Sequence, residues 1–91
     1  MTKFKKRPVE IEARQFTEET KDAVYAWACS IQQNVIHTWK DDKPALLVTT
    51  LEGDMVCSLG DWLIVEPFPT DWRKIYPCKA EIFNQTYEPL I

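Results

Sequence analysis

The stretch LLVTTLEGDMVCSLGDWLIVE, residues 46–66, decides the fold of this chain. Its three apolar runs are rich in β-branched and aliphatic residues, which suit pleated, half-buried strands. Gly53 and Gly60 separate the runs and can adopt the positive φ that tight turns require. The pattern therefore predicts a three-stranded antiparallel meander, with strands over residues 46–51, 55–58 and 62–65.

Two of these strands are apolar on both faces, because their apolar residues are consecutive instead of alternating. They begin with Leu46–Val48 and Trp62–Val65. A strand of this kind is usually covered on both sides. We expect one face of the sheet to pack against a helix, and the other to meet the far wall of a curled sheet or a partner molecule.

An amphipathic helix is predicted over Glu18–Gln33, with Thr17 as its N-cap. Four apolar residues follow the i, i+3, i+4, i+7 spacing of one helical face. Trp27 should be the largest contribution of this helix to the core. The four residues are Val24, Trp27, Ala28 and Ile31.

The remaining elements are short strands and one short helix. The strands are predicted over Val9–Phe16, Val35–Trp39 and Arg73–Tyr76, the last ended by Pro77, and the helix over Lys79–Gln85 with Ile82 and Phe83 inward. The predicted fold is a single α+β domain, residues 1–91. A bent, mainly antiparallel sheet of about five strands packs on one amphipathic helix, with a short C-terminal helix at one end.

Composition indicates a globular protein. Hydrophobic residues make up 45% and charged residues 27% of the 91 residues, which does not favour disorder. The net charge of −3 argues against a dedicated nucleic-acid binder, because such proteins are usually basic. No signal peptide or membrane-spanning run is recognised, so we expect a soluble protein of the cytoplasm.

The sequence offers little catalytic machinery. Cys29, Cys57 and Cys78 lack zinc-binding spacing, and His37 is the single histidine, so free thiols in a reducing compartment are expected. Cys78 has no evident base, and the Asp54 and Asp61 carboxylates are typical of turns. Because phosphate loops and nucleophile elbows are also missing from the sequence, we predict no enzyme, no metal and no cofactor.

Two groups of residues are candidate binding sites. The first is an aromatic and basic patch on the loop after the meander, which suits a protein hot spot or a stacked base, although the aromatics could instead fill the core. The second is a basic N-terminal arm that could contact phosphate or simply be solvated. The patch comprises Phe68, Trp72, Arg73 and Lys74, and the arm comprises Lys3, Lys5, Lys6 and Arg7.

Five segments together resemble a family of small uncharacterised phage and prophage proteins. They are FKKRPVEIEARQF (4–16), LEGDM (51–55), GDWLI (60–64), IYPCKAEIF (75–83) and TYEP (86–89). The likeness covers most of the chain in order and spacing, and departs at Leu59 and Ala80, where the family usually has proline. It implies a phage-encoded accessory protein of the host cytoplasm, and implies no reaction.

We therefore expect a non-catalytic module that binds a host protein, either to blunt host defence or to redirect host machinery. The alternative is a nucleotide or nucleic-acid binder that uses the basic arm and the aromatic and basic patch. Self-association is a third expectation. Steep salt dependence of binding would favour the nucleic-acid alternative.

Overall fold

The structure is a computed structural model that describes residues 2–3, 10–32, 35–50, 53–66 and 74–88. Over these ranges the chain forms two three-stranded antiparallel sheets and two helices, which confirms the α+β class. The single bent sheet of about five strands is wrong, because the strands divide between two sheets. The elements are β1 (Ala13–Gln15), α1 (Lys21–Ile31), β2 (Val35–Lys40), β3 (Lys43–Thr50), β4 (Gly53–Ser58), β5 (Trp62–Val65), β6 (Ile75–Cys78) and α2 (Ala80–Thr86).

A three-stranded meander does form, but it begins one strand earlier in the chain than predicted. It consists of β2, β3 and β4 in that order, whereas β5 lies between β1 and β6 in the second sheet. The hairpin at Gly53 is as predicted, with φ of 121°. The predicted pairing of β5 with β4 is wrong.

The turn after β4 explains why β5 leaves the meander. The Asp61 N–H donates to the Ser58 carbonyl at 3.0 Å, and Gly60 takes a φ of 92°, so the predicted turn is present. However, the Gly60 N–H donates to the Phe16 carbonyl at 2.6 Å, and the Phe16 N–H donates to the Asp61 carbonyl at 2.9 Å. These two bonds direct the chain onto β1, where Gln15 then pairs with Trp62.

The hydrophobic core lies where α1 and the inner faces of both sheets meet. The cross-strand register pairs Leu46 with Cys57 on the inner face of the meander. In the second sheet, Leu63 and Ile75 lie on the same, inner face. The buried residues that pack together are Phe16, Val24, Ala28, Val35, Leu46, Val48, Cys57, Leu63 and Ile75. Burying these side chains is the main favourable term in folding.

Helix α1 is shorter than predicted and contributes differently. Its N-cap is Thr20 instead of Thr17, because the Thr17 hydroxyl accepts the Thr20 N–H at 3.2 Å and forms a turn before the helix. Val24 and Ala28 are the fully buried residues. Trp27 only packs against the edge of the core, and its ring supports the Arg14 guanidinium at 4.7 Å from the ring centroid.

The C-terminal elements cover the outer face of the second sheet. The Phe83 ring of α2 stacks on Trp62 with centroids 4.1 Å apart and an interplanar angle of 5°. Ile82 was predicted to face inward, but it is 52% exposed, because α2 packs on the sheet through Phe83, whose ring is also contacted by Tyr87 one turn later. Pro77 does not end the strand, since it lies within β6, an outer strand where a missing N–H is tolerated.

Candidate functional site

An apolar row crosses the outer face of the meander. The register pairs Ile36 with Leu47 and Leu47 with Val56, so the three side chains lie on the face opposite the core. Ile36 is 52% exposed and Val56 is 37% exposed, while Leu47 between them is half-buried. We call these three residues the apolar row. Neighbouring apolar residues on a rigid sheet form a surface suited to contact with another protein.

Among the strands that the structure describes, β2 has a neighbour on one side only, so it forms an edge of the meander beside this row. Pro44 lacks an N–H, so the Trp39–Pro44 pair cannot exchange two hydrogen bonds, and the bonded pairs of the ladder must alternate with it. The main-chain groups of His37 and Trp39 therefore point away from β3. Within the described ranges, no main-chain hydrogen bond outside the strand ladder engages either residue.

The end of this edge presents aromatic side chains. Trp39 is 71% exposed, which is unusual for the largest side chain in proteins. On the same face of β2, the His37 ring stacks on Tyr25 of α1 with centroids 3.9 Å apart. A tight turn at Asp41 and Asp42, with φ of 53° and 62°, then leads into β3. Its geometry holds Trp39 in an extended strand instead of a mobile loop.

The residues predicted as a binding patch are only partly described. Lys74 is exposed, as a binding residue must be, and its main chain is held by two hydrogen bonds. Its N–H donates to Gln32 Oε1 at 3.2 Å, and its carbonyl accepts the Glu66 N–H at 2.8 Å. Phe68, Trp72 and Arg73 lie outside the described residues. Of the predicted basic arm, Lys3 is described and exposed, whereas Lys5, Lys6 and Arg7 lie outside.

Gln32 connects the end of α1 to both sheets. Its Oε1 accepts the N–H groups of Lys74 and Ile75, at 3.2 and 3.4 Å, and its Nε2 donates to the Thr49 carbonyl at 3.3 Å. The side chain is buried, and these bonds satisfy its amide in the interior. Gln32 thereby sets the position of β6 and of Lys74 relative to the meander.

The environments of Cys57 and Cys78 disfavour nucleophilic chemistry at these two thiols. Burial, and secondarily the Asp61 carboxylate, raise the pKa of the Cys57 thiol to about 12. The same two causes raise the pKa of Cys78 above its usual value. A nucleophilic cysteine requires the opposite shift, because the thiolate is the reactive form. Asp61 acts as a turn residue, as predicted, since its carboxylate accepts the Ser58 N–H at 3.0 Å.

An open pocket of about 520 Å³ lies between β1 and the start of α1. Arg14 and Glu19 both line it, so it presents charges of both signs. Thr17 and Thr20 also line it, but their hydroxyls bond to each other at 3.0 Å, and that of Thr20 donates to the Gln15 carbonyl at 2.7 Å. This pocket is therefore poorly suited to a nucleotide phosphate, which needs several free donors.

Over the described residues the chain has an α+β fold, an exposed apolar row and an edge strand, β2, that pairs on one side. No known protein family, curated protein or solved structure matches this chain. Across the residues that the structure describes, no group of three or more His, Cys, Asp or Glu side chains is placed to hold a metal ion. None of the described helices is long and apolar enough to cross a bilayer.

The apolar row and the role of Gln32 were not predicted from the sequence. The signal for the row was present in the consecutive apolar residues Leu46–Val48 and in Val35 followed by Ile36, since alternate residues of a strand must face opposite sides. The sequence predicted that this face would meet either the far wall of a curled sheet or a partner molecule, and contact with a partner stays a prediction. A glutamine at the end of a helix carries no sequence signal of burial.

Proposed function

We propose that this chain is a phage-encoded accessory protein that binds a host protein through the apolar row and catalyses no reaction. The observation that supports the proposal is the exposure of Ile36 and Val56, aligned across Leu47 on one sheet face. Removing apolar surface from water contributes about 25 cal/mol per Å². A matching apolar surface of the host protein would cover the row.

The apolar row is well placed to bind another protein, because it lies on a rigid sheet. The three side chains come from three hydrogen-bonded strands, so binding orders little main chain and costs little conformational entropy. Beta-branched Ile36 and Val56 have few rotamers to lose. A partner that places an aliphatic or aromatic side chain between them would make the central contact of the interface.

The thiol environments support the non-catalytic part of the proposal. Both Cys57 and Cys78 have a raised pKa, so neither is activated as a nucleophile. A nucleotide or nucleic acid bound by Lys3, Lys5, Lys6, Arg7 and the loop patch is the alternative outcome that the binding experiment must separate.

The test is capture of host proteins by wild type and by the Ile36→Thr, Val56→Thr double variant. Threonine keeps the branched shape that a strand prefers but adds a hydroxyl to the row. Losing two apolar contacts should weaken a captured partner's binding about tenfold or more. Ile82→Thr is the matched control, because Ile82 is as exposed as Ile36, at 52%, but lies on α2.

Salt separates the two functions. Binding through the apolar row should change little between low and physiological salt, whereas phosphate binding by a basic arm should fall steeply. A partner that the double variant and wild type bind equally, or that salt removes, would overturn the proposal.

A further inference from the structure

We propose that β2 pairs antiparallel with β2 of a second copy of this chain, joining the two meanders into one six-stranded sheet. The inference concerns the edge of the sheet and is argued from its main-chain groups, whereas the proposed host contact uses the outer face; the two surfaces share Ile36 at their border. The second copy is the occupant that the main-chain groups and side chains of this edge match best.

The main-chain groups of His37 and Trp39 that point away from β3 select one register. A two-fold axis through Thr38 pairs His37 with Trp39 of the second copy, and Trp39 with His37, which engages all the outward groups of both residues. An axis through His37 would instead require the Val35 carbonyl, which accepts the Cys29 thiol at 3.8 Å. An axis through Trp39 would require Asp41, whose φ of 53° is not extended.

Side chains in the Thr38 register are complementary. Trp39 lies beside His37 of the second copy, and hence beside the Tyr25–His37 stack, which favours aromatic contact. On the other face, Ile36 lies opposite Lys40, whose alkyl stem can cover the isoleucine while its ammonium stays in water. Opposing lysines, which would repel each other, do not occur in this register.

The size of the contact predicts a weak assembly. One short strand pair, with the exposed parts of Trp39 and Ile36, covers less than the roughly 800 Å² per partner of a stable interface. Each copy also carries a net charge of −3, so moderate salt should strengthen the pairing by screening repulsion. Concentration-dependent dimerisation in the micromolar to millimolar range is therefore expected, in contrast to a permanent dimer.

Disulfide trapping tests the register directly. Residues opposite each other in a non-hydrogen-bonded antiparallel pair have Cα atoms about 4.5 Å apart, within the range that a disulfide spans. Thr38→Cys should therefore form a covalent dimer on mild oxidation, well above the level given by the native cysteines of wild type. Lys40→Cys is the matched control, because it lies opposite Ile36 and should remain near that level.

A mixture of Ile36→Cys with Lys40→Cys should form the mixed covalent dimer, which confirms the register from a second pair. Sedimentation equilibrium of wild type from about 10 μM to about 1 mM should show a rising mass. A strictly monomeric wild type, or a Thr38→Cys dimer that forms no faster than the Lys40→Cys dimer, would overturn the proposal. The host-binding proposal would survive either result, because it is argued from the exposed apolar side chains of a single copy and not from the main-chain groups of β2.

Discussion

Replacing Gln32 by alanine should lower the free energy of unfolding much more than replacing an ordinary, exposed glutamine would. The substitution removes one buried amide that satisfies three main-chain groups: the N–H groups of Lys74 and Ile75, and the Thr49 carbonyl. These groups belong to both sheets, so the loss affects how the sheets are held together instead of one element alone.

The magnitude follows from the burial of the groups left behind. Ile75 is fully buried, so its N–H loses its partner without access to water, at a cost of about 1–3 kcal/mol. Lys74 and Thr49 are exposed residues whose groups can turn to solvent, and each bond is then worth about 0.5–1.5 kcal/mol or less at these long distances. Recovered side-chain entropy offsets about 1 kcal/mol. The expected net loss is about 2 kcal/mol.

Urea unfolding followed by tryptophan fluorescence measures this loss. A decrease of about 2 kcal/mol should lower the transition midpoint by roughly 1–2 M at an unchanged slope, and the melting temperature by roughly 10 °C. Gln85→Ala is the matched control, since Gln85 is exposed on α2 and should change stability by less than about 0.5 kcal/mol. If Gln32→Ala unfolds within that margin of the control, Gln32 does not hold the sheets together.

Two further predictions concern the turn after β4 and the thiol beside it. Gly60→Ala should lower the free energy of unfolding by about 1 kcal/mol or more, because the φ of 92° strains any residue with a Cβ, even though that Cβ would meet no atom within 4 Å. Thermal melts measure this loss, and an unchanged melting temperature would contradict it. Cys57 should destabilise the fold at alkaline pH. The pKa of its thiol is about 12 in the folded protein and 9.0 ordinarily, so as pH rises the thiol ionises first in the unfolded chain. Its contribution to the free energy of unfolding is therefore intact below pH 9.0 and is lost as pH rises toward about 12. Unfolding of wild type and Cys57→Ala across that range should show a steeper decline for wild type, and parallel declines would refute the assignment.

Local sequence patterns predicted the strands and turns better than they predicted which strands pair with each other. The hairpin at Gly53 was predictable because its two strands are neighbours in sequence and the turn needs a positive φ. The turn at Gly60 was equally evident, but the same local geometry can return the chain to β4 or pass it to β1. Its outcome depends on bonds to Phe16, which lies far away along the chain.

The candidate surface was predictable only in part. Consecutive apolar residues around Leu47 indicated a strand with two apolar faces, of which the outer one would meet the far wall of a curled sheet or a partner. That Ile36 and Val56 are its exposed residues could not be predicted, because this depends on the cross-strand register, which the local sequence does not determine. The patch predicted at Phe68, Trp72 and Arg73 remains a prediction, since it lies outside the described residues.

The division into two sheets has a consequence for synthesis on the ribosome. The meander joins strands that emerge one after another, so it can form as soon as β4 has left the exit tunnel. β1 emerges before all of them but must wait for β5, its sole neighbour among the described strands, while Phe16 stays unburied. Until β5 and β6 arrive, the apolar side chains that they cover, Phe16 among them, stay exposed on the nascent chain, and chaperones that recognise exposed apolar segments have their longest opportunity in that interval.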